Sequence, residues 1–371
     1  MSRISSTTRR GGWPPTIVGM GLLEWIVALG LNALVLLILT QALLSARVSF
    51  SMIDATARLS DNGRFALAVI AESLNGASAE LPCAREQDNP LLRQVSFIHP
   101  SPGFVPEAMV VGWEAPNTQG AAWSLHAELE KPFSTHVNLP PALNGRVDPQ
   151  SDVLMVHYRA PVSGVMVNDL RSDQLLTQQG HGLKSCSLVV MSDCTTDYVF
   201  QASQATTRSV HWSSDGVCEP GNEPIGAIDV NQWPDGRQLA LYHWHAMAWF
   251  VGPPEDGERT LYRALFDRGQ SRVRVEAMVE GIETLQVQFA SRSSIEPMQW
   301  QTANAVADWS SVVGVRLGVL ASVRMDPHSS KADGWVSQPL LGSEVAWPAG
   351  QGYVDSFQTA KALRGAQRVQ R

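Results

Sequence analysis

A single carboxylate, Glu24, stands at the start of a long apolar stretch that runs from Trp25 to Leu44. An isolated charge costs several kcal/mol in hydrocarbon, so an acidic residue at such a place indicates a function. Gly19 lies five residues before it, on the other side of the apolar boundary. We therefore treat Gly19, Met20 and Glu24 as the first candidate functional residues.

Two other groups contain residue types that bind metals. His243-Trp244-His245 places two imidazoles on one face of a strand, where His211 or an acid could complete a site. Asp229, Asn231 and Asp235 offer oxygen ligands for calcium, although their spacing departs from the EF-hand loop. We expect a satisfied or solvent-facing histidine pair, and no metal or other cofactor.

Catalytic motifs are missing from the sequence. It contains no nucleophile elbow, no phosphate-binding loop and no HExxH pair, so we predict that the protein is not an enzyme. Four tryptophans could instead form an adhesive surface, although core positions are the more common place for them: Trp212, Trp233, Trp244 and Trp249.

The candidate residues are positioned by an N-terminal leader and an apolar helix. Residues 1–19 carry three arginines and no acid, so the leader stays cytoplasmic and the rest of the chain is exported. An ordinary secretory signal is cut after its apolar region, whereas the candidate site here lies before it. Residues 20–45 are long enough, at about 1.5 Å per residue, to cross a bilayer.

The helix continues as an amphipathic segment over residues 46–80, weakened locally at Gly63, and a β-rich head follows over residues 81–371. This predicts an α+β fold in which one long helix packs on a large antiparallel head. Predicted strands cover 94–98, 108–113, 153–159, 187–191, 198–203, 238–251 (with a break), 260–266, 273–278, 285–290 and 312–324. Residues 326–352 are rich in Gly, Ser and Pro and predict coil, and a short segment at 353–362 closes the head.

Charge and cysteine content limit the partners and the compartment. The net charge of −7 makes direct binding to nucleic acid a poor prediction. The four cysteines are Cys83, Cys186, Cys194 and Cys218, and none forms a CxxC pair. In an exported head, four cysteines predict two disulfides, and the sequence leaves all three possible pairings open.

The segment from Gly19 to Glu24 resembles the processing site of type IV prepilins. This resemblance implies that a prepilin peptidase cuts after Gly19 and methylates the new N-terminus, Met20. It also implies that Glu24 is the assembly carboxylate, which pairs with the N-terminal ammonium of a neighbouring subunit and sets its axial register.

Further segments resemble the PilW family of minor type IV pilins. They are residues 57–67, 152–158, 188–194, 257–263, 278–287 and 308–320. We expect two of the recurring stretches, Asn62-Gly63-Arg64 and Glu280 to Val287, to hold the fold and not to carry catalysis.

The resemblance implies a minor pilin that primes pilus assembly at or near the tip. Its implied partners are other minor pilins, the major pilin, a tip adhesin and the prepilin peptidase. The implied location is the inner membrane, with one span and a periplasmic head, and then the pilus on the cell surface, where it serves twitching motility, adhesion or DNA uptake.

Two alternatives remain open from the sequence. A J-type pseudopilin of type II secretion would share the processing site and the β-rich head. A membrane-anchored periplasmic binding protein or enzyme would carry an anchor that only imitates a prepilin.

Overall fold

A computed structural model describes most of the chain. The described residues are 21–77, 93–105, 108–116, 118, 122–125, 136–162, 167–171, 173–192, 196–214, 217–223, 239–253, 258–270, 272–292, 298–324, 334–348 and 352–363.

One helix, α1, runs over 56 residues from Leu22 to Ala77. The chain divides within it into two compact units, the first ending at Asp54 and the second beginning at Ala55. Leucine and alanine dominate its first half, and both have high helix propensity. The predicted long helix is therefore confirmed, and Gly63 does not interrupt it.

The second unit contains a β-rich head in addition to the end of α1. In chain order the strands are β1 Arg93–Ser96, β2 Val110–Trp113, β3 Ala122–Ser124, β4 Val153–Pro161, β5 Val167–Leu170, β6 Gln174–Thr177, β7 Leu188–Ser192, β8 Thr196–Gln201, β9 Gln204–Ala205, β10 Ser209–His211, β11 Ala240–Gly252, β12 Thr260–Leu265, β13 Asp267–Gln270, β14 Arg274–Glu280, β15 Ile282–Ser291, β16 Trp300–Gln301, β17 Val312–Arg324, β18 Trp335–Leu340, β19 Ser343–Pro348 and β20 Gly352–Ala362. Short 3₁₀ turns lie at Pro141–Leu143, Ala303–Ala305 and Trp309–Ser311.

The largest sheet has eight strands, and β11 lies at its centre. One edge of β11 pairs with β4, while the other pairs first with β7 and then with β12. The path β1-β8-β7-β11-β12-β14 is extended by β4 and β2. All these pairs are antiparallel except β1 with β8.

Three smaller sheets surround this one. They have the strand orders β16-β15-β17-β20, β5-β6-β10-β9 and β18-β19-β3. The main core is formed where α1 contributes Leu59, Ala66, Ile70 and Leu74 to a cluster with side chains of β11, β15 and β17. The α+β fold, with a long N-terminal helix and a largely antiparallel head, is thereby confirmed.

Two predicted details of the head are wrong. The strand at 238–251 was expected to be broken, yet β11 is continuous, because both of its edges are hydrogen-bonded to neighbouring strands. The coil expected over 326–352 contains the hairpin β18–β19. Its two-residue turn is Leu341-Gly342, with φ angles of 50° and 92°. A leucine in this left-handed region gives no turn signal in a sequence.

Candidate functional site

Glu24 lies in the first turn of α1, and its backbone N–H donates to the Gly21 carbonyl over 2.9 Å. The other two residues of the predicted processing site, Gly19 and Met20, lie outside the described residues. Glu24 is exposed, as are its neighbours Leu23 (78 %) and Trp25 (59 %). Its carboxylate is thus accessible to a cation from another molecule.

The first half of α1 presents an apolar surface on all sides. Its large apolar side chains between Leu22 and Leu44 are at least half exposed. A continuous apolar surface of this size needs an apolar environment or a protein partner. By length and composition α1 can cross a membrane, and it is the one helix in the described part of the chain that can. This indicates a membrane anchor.

The last part of α1 has two distinct faces. Its buried face consists of Leu59, Gly63, Ala66, Leu67, Ile70, Ala71, Leu74 and Ala77. These positions recur every three or four residues, which is the spacing of one side of a helix. Arg58, Asp61, Arg64 and Glu72 lie on the exposed side. The periodicity predicted for this segment therefore directs one face into the head.

Asn62 and Gly63 make close contacts between α1 and the strands. The side-chain amide of Asn62 donates to the carbonyl of Glu280 over 3.0 Å. Gly63 lies against the ring of Phe357, and a Cβ at this position would be 2.2 Å from the ring. Glycine at 63 is required because the β20 aromatic ring occupies the space of a side chain.

The partner of Asn62 is the sharp turn between β14 and β15. Gly281, at its centre, has a φ of 72°, and its N–H donates to the carbonyl of Arg259 over 2.9 Å. A Cβ on Gly281 would be 2.6 Å from the carbonyl oxygen of Ser322. The two stretches that the sequence analysis assigned to the fold thus contact each other directly.

A buried charge cluster lies beside this turn. Arg259 is 8 % exposed, and its Nε lies 2.9 Å from Oδ2 of Asp148. Its Nη1 lies 3.7 Å from Oε2 of Glu283, whose other carboxylate oxygen accepts from the Ser322 hydroxyl. Buried charges are tolerated when they are paired, and both acids here form ion pairs with the guanidinium of Arg259.

A second polar contact ties α1 to the large sheet. The indole N–H of Trp249, a fully buried residue on β11, donates to the hydroxyl of Ser73 over 3.0 Å. The guanidinium carbon of Arg263 lies 5.9 Å from the centre of the same indole, and Arg263 forms a 2.6 Å ion pair with Glu276. The helix is therefore held by specific donors and acceptors as well as by apolar packing.

The histidine pair does lie on one face of β11. The ring centres of His243 and His245 are 3.8 Å apart, and the acid beside them is Asp267, 3.6 Å from Nδ1 of His245. His211 lies on β10, in another sheet. Burial, and then the charge of His245, lowers the pKa of His243 to about 4. Burial also lowers the pKa of His245, against the opposing effect of Asp267.

The metal hypotheses receive no structural support from the residues that the structure describes. Within them, no group of three or more His, Cys, Asp or Glu side chains is arranged to hold a metal ion. The calcium candidates Asp229, Asn231 and Asp235 lie outside the described residues.

The tryptophan positions argue against an adhesive surface made from the suggested residues. Trp212, Trp244 and Trp249 are 2 %, 1 % and 1 % exposed. They belong to the core, and Trp233 lies outside the described residues.

Of the cysteines, Cys186 and Cys218 form a disulfide, with Cα atoms 5.2 Å apart. This is one of the pairs that the sequence left open. Cys83 and Cys194 lie outside the described residues.

One pair of carboxyl groups was not identified from the sequence. Glu114 and Asp152 line a cavity of about 420 Å³. Asp152 is buried and accepts from the N–H groups of Ala115 (2.7 Å) and Val287 (2.8 Å). Burial, followed by the negative charge of Glu114, raises the pKa of Asp152 well above its usual value. An apolar strand beginning one residue later is the only local signal that Asp152 is buried.

The comparison with protein families gives one match. Residues 248–365 match the family described as Type IV Pilus-assembly protein W. This range contains the segments 257–263, 278–287 and 308–320 that resembled the family, the β14–β15 turn and Phe357. No curated protein and no solved structure matches the chain. The predicted resemblance to the PilW family is thereby confirmed over residues 248–365, and the match links the chain to type IV pilus assembly.

Proposed function

We propose that this protein is a minor pilin of the PilW type, which primes type IV pilus assembly and lies at or near the pilus tip. The family match over residues 248–365 carries the proposal. It is supported by α1, whose first half is apolar and exposed while its last part is buried in the head.

The proposed division of the chain follows the chemistry of these parts. Residues 1–19 are the leader, 20–45 the membrane-spanning half of the helix, 46–80 its amphipathic half and 81–371 the periplasmic head. Cleavage after Gly19 leaves Met20 as the methylated N-terminus. The protein is first anchored in the inner membrane and then becomes part of the pilus on the cell surface.

In the proposed mechanism, Glu24 pairs with the N-terminal ammonium of a neighbouring subunit. Each charge alone is costly in hydrocarbon, so the pair forms only when the two helices are in the correct axial register. Apolar contacts between helices supply the remaining stabilisation. The partners are other minor pilins, the major pilin and a tip adhesin, and the prepilin peptidase acts before assembly.

The size of the head supports a tip location. The described strands form four sheets, one of them with eight strands. Such a head can lie on top of a filament, but it would crowd a helical array of identical copies. This favours a priming role over that of the repeating subunit.

The test is intact mass and N-terminal sequencing of the protein from membranes, with and without the prepilin peptidase. We expect a chain that starts at N-methyl-Met20 only when the peptidase is present. A chain that retains residues 1–19 in both strains would refute the pilin proposal and favour a plain membrane anchor. Processing without recruitment to pili, in a gene neighbourhood of secretion components, would instead indicate a J-type pseudopilin.

A further inference from the structure

We infer that the head carries a basic groove that binds a carboxylated polysaccharide. We call it the Lys184 groove and define it by Lys184, Ser185, Thr206, Thr207 and Arg268, which line a surface cavity of about 610 Å³. This inference goes beyond the proposed role in assembly, since the groove uses none of the contacts between α1 and the strands.

The two cations of the groove have no acidic partner among the described residues. Lys184 is exposed and Arg268 is half-buried. A half-buried guanidinium without a carboxylate loses part of its hydration and gains no ion pair in return. The chain has a net charge of −7. Lys184 and Arg268 in one cavity therefore form a local positive site for an anionic group.

The groove is rigidly built. Gln201 is fully buried, and its side-chain nitrogen donates to the carbonyls of Cys186 (2.9 Å), Glu219 (3.0 Å) and Arg268 (3.3 Å). Its side-chain oxygen accepts from the N–H of Gly221 over 2.8 Å. One side chain therefore fixes both the segment that precedes Cys186, which carries Lys184, and the backbone of Arg268.

A disulfide and a close backbone contact also fix the segments that line the groove. The disulfide joins Cys186, two residues after Lys184, to Cys218. Gly269, with a φ of 58°, brings the Arg268 strand so close to Glu219 that a Cβ would be 2.3 Å from its carbonyl oxygen. A site fixed before binding loses little conformational entropy when a ligand enters.

The lining favours a carboxylated sugar over other anionic ligands. Thr206, Thr207 and Ser185 line the groove beside the cations, and the Ser185 hydroxyl, which accepts from the Ala205 N–H over 3.2 Å, keeps its own O–H as a donor. A second cavity of about 390 Å³ shares Gly182 and Leu183 with the groove. The hydroxyl groups of the lining suit the hydroxyl groups of a sugar, while the two cations suit carboxylates.

Nucleic acid fits this surface less well. Duplex DNA carries one charge per about 1.7 Å, and that charge density would be repelled by the net charge of −7 outside the groove. A polysaccharide with one carboxylate per sugar has a lower charge density and additional hydroxyl groups. We therefore assign the occupant to the class of uronic-acid polysaccharides.

The experiment measures binding of short oligogalacturonate to the full chain in detergent micelles. The matched neutral probe is the fully methyl-esterified form, and a single-stranded DNA oligomer of similar length tests the other polyanion. We expect saturable binding of the acid form only. Combined Lys184→Ala and Arg268→Ala substitution should weaken it about tenfold or more, since charge-assisted hydrogen bonds are lost.

Arg146→Ala is the control variant. Arg146 is exposed and lies next to Gly252, at the end of β11 away from His243. This substitution removes one positive charge at a position outside the groove and should leave binding unchanged. Retention of the Cys186–Cys218 disulfide, measured by mass, and an unchanged unfolding transition show that the double variant is folded.

Three outcomes would overturn the inference: no saturable binding of the acid form, equal loss with Arg146→Ala, or tighter binding of DNA than of the uronate. The number of pili on cells that carry the double variant distinguishes this inference from the proposed function. Normal piliation with or without uronate binding leaves the assembly role intact, because the groove is not part of it.

Discussion

At the scale of single residues, two glycines are tightly constrained where α1 meets the strands. Gly63 is fixed by the ring of Phe357, and Gly281 by the carbonyl of Ser322. Neither glycine is explained by local sequence alone, because the atoms that exclude a side chain come from distant parts of the chain. Asn62 and Glu280, which precede these two glycines in the sequence, are joined by a hydrogen bond.

Gly63→Ala should destabilise the head. The added methyl group collides with Phe357, and overpacking of this kind costs about 1–3 kcal/mol. Gly76→Ala is the control in the same helix: no atom lies within 4 Å of its Cβ position, so it should be neutral or stabilise by up to about 1 kcal/mol. Chemical unfolding of the full chain in micelles measures both. Equal effects of the two substitutions would show that the contact with Phe357 is not the cause.

Glu114→Gln should stabilise the protein at neutral pH, by an amount on the order of 1 kcal/mol. The pKa of Asp152 is raised above its usual value of 3.8, so the folded state holds its proton more tightly than the unfolded state. The contribution of Asp152 to stability is therefore full below pH 3.8 and is lost as the pH rises through the folded pKa. Removal of the Glu114 charge lowers the pKa of Asp152 in the folded state. Less stability is therefore lost at neutral pH.

The free energy of unfolding measured between pH 4 and 8 checks this effect. The gain in unfolding free energy of the Glu114→Gln variant should be largest near pH 8 and should shrink towards pH 4. An advantage that is constant over the whole range would mean that the charge of Glu114 does not act on Asp152.

At the scale of elements, long apolar strands were predictable and contacts between elements were not. The predicted strand at 312–324 has the same bounds as β17, because valine and leucine recur along it on both sides of Gly314 and Gly318. The hairpin β18–β19 was missed because Leu341 occupies a turn position that usually requires glycine or asparagine. The contact from Asn62 to Glu280 spans 218 residues, and no local pattern reports it.

Among the functional residues, too, some could be predicted from the sequence and others could not. Glu24 was singled out because a carboxylate contrasts with its apolar neighbours, and a disulfide was expected from the four cysteines, although their pairing was left open. Lys184, Arg268 and Gln201 gave no signal, since their relation depends on how three separate segments meet at one buried amide.

Arg259→Met should be strongly destabilising, since it leaves Asp148 and Glu283 without their cation beside the β14–β15 turn. Removal of one partner of a buried ion pair costs about 3–5 kcal/mol. Arg146→Met, at an exposed position, should change the unfolding free energy by less than about 0.5 kcal/mol. A comparable small effect for Arg259→Met would refute the view that this ion-pair cluster stabilises the fold beside the β14–β15 turn.

At the scale of the whole molecule, the two ends of α1 have separate roles. The first end carries the apolar surface and Glu24, and the last part belongs to the core of the head. In the proposed function, the first end makes contacts with other subunits, while the head remains available for other ligands. Substitutions at the two ends should therefore have different consequences in cells.

Glu24→Ala should leave cleavage after Gly19 intact and reduce recruitment into the tip complex. The control is Glu72→Ala, which removes an exposed carboxylate from the other end of the same helix and should have no effect on recruitment. Mass spectrometry of the mature chain measures cleavage, and immunoblotting of sheared pili measures incorporation. Normal incorporation of the Glu24 variant would exclude a role of the carboxylate in register.

The contacts of α1 with Glu280 and Phe357 also bear on when its buried face can be covered. The end of α1 leaves the ribosome early, yet the residues that share a core cluster with this face lie on strands from β2 to β20, and β20 is the last strand that the structure describes. Contacts between such distant segments form slowly, and closing long loops costs entropy before any contact is gained. In the proposed function, in which the head is exported, the part of this face that Phe357 covers therefore stays exposed until β20 has been translocated. We expect a chain that ends before Phe357 to lack this cover on Gly63 and to be degraded before it can enter a pilus.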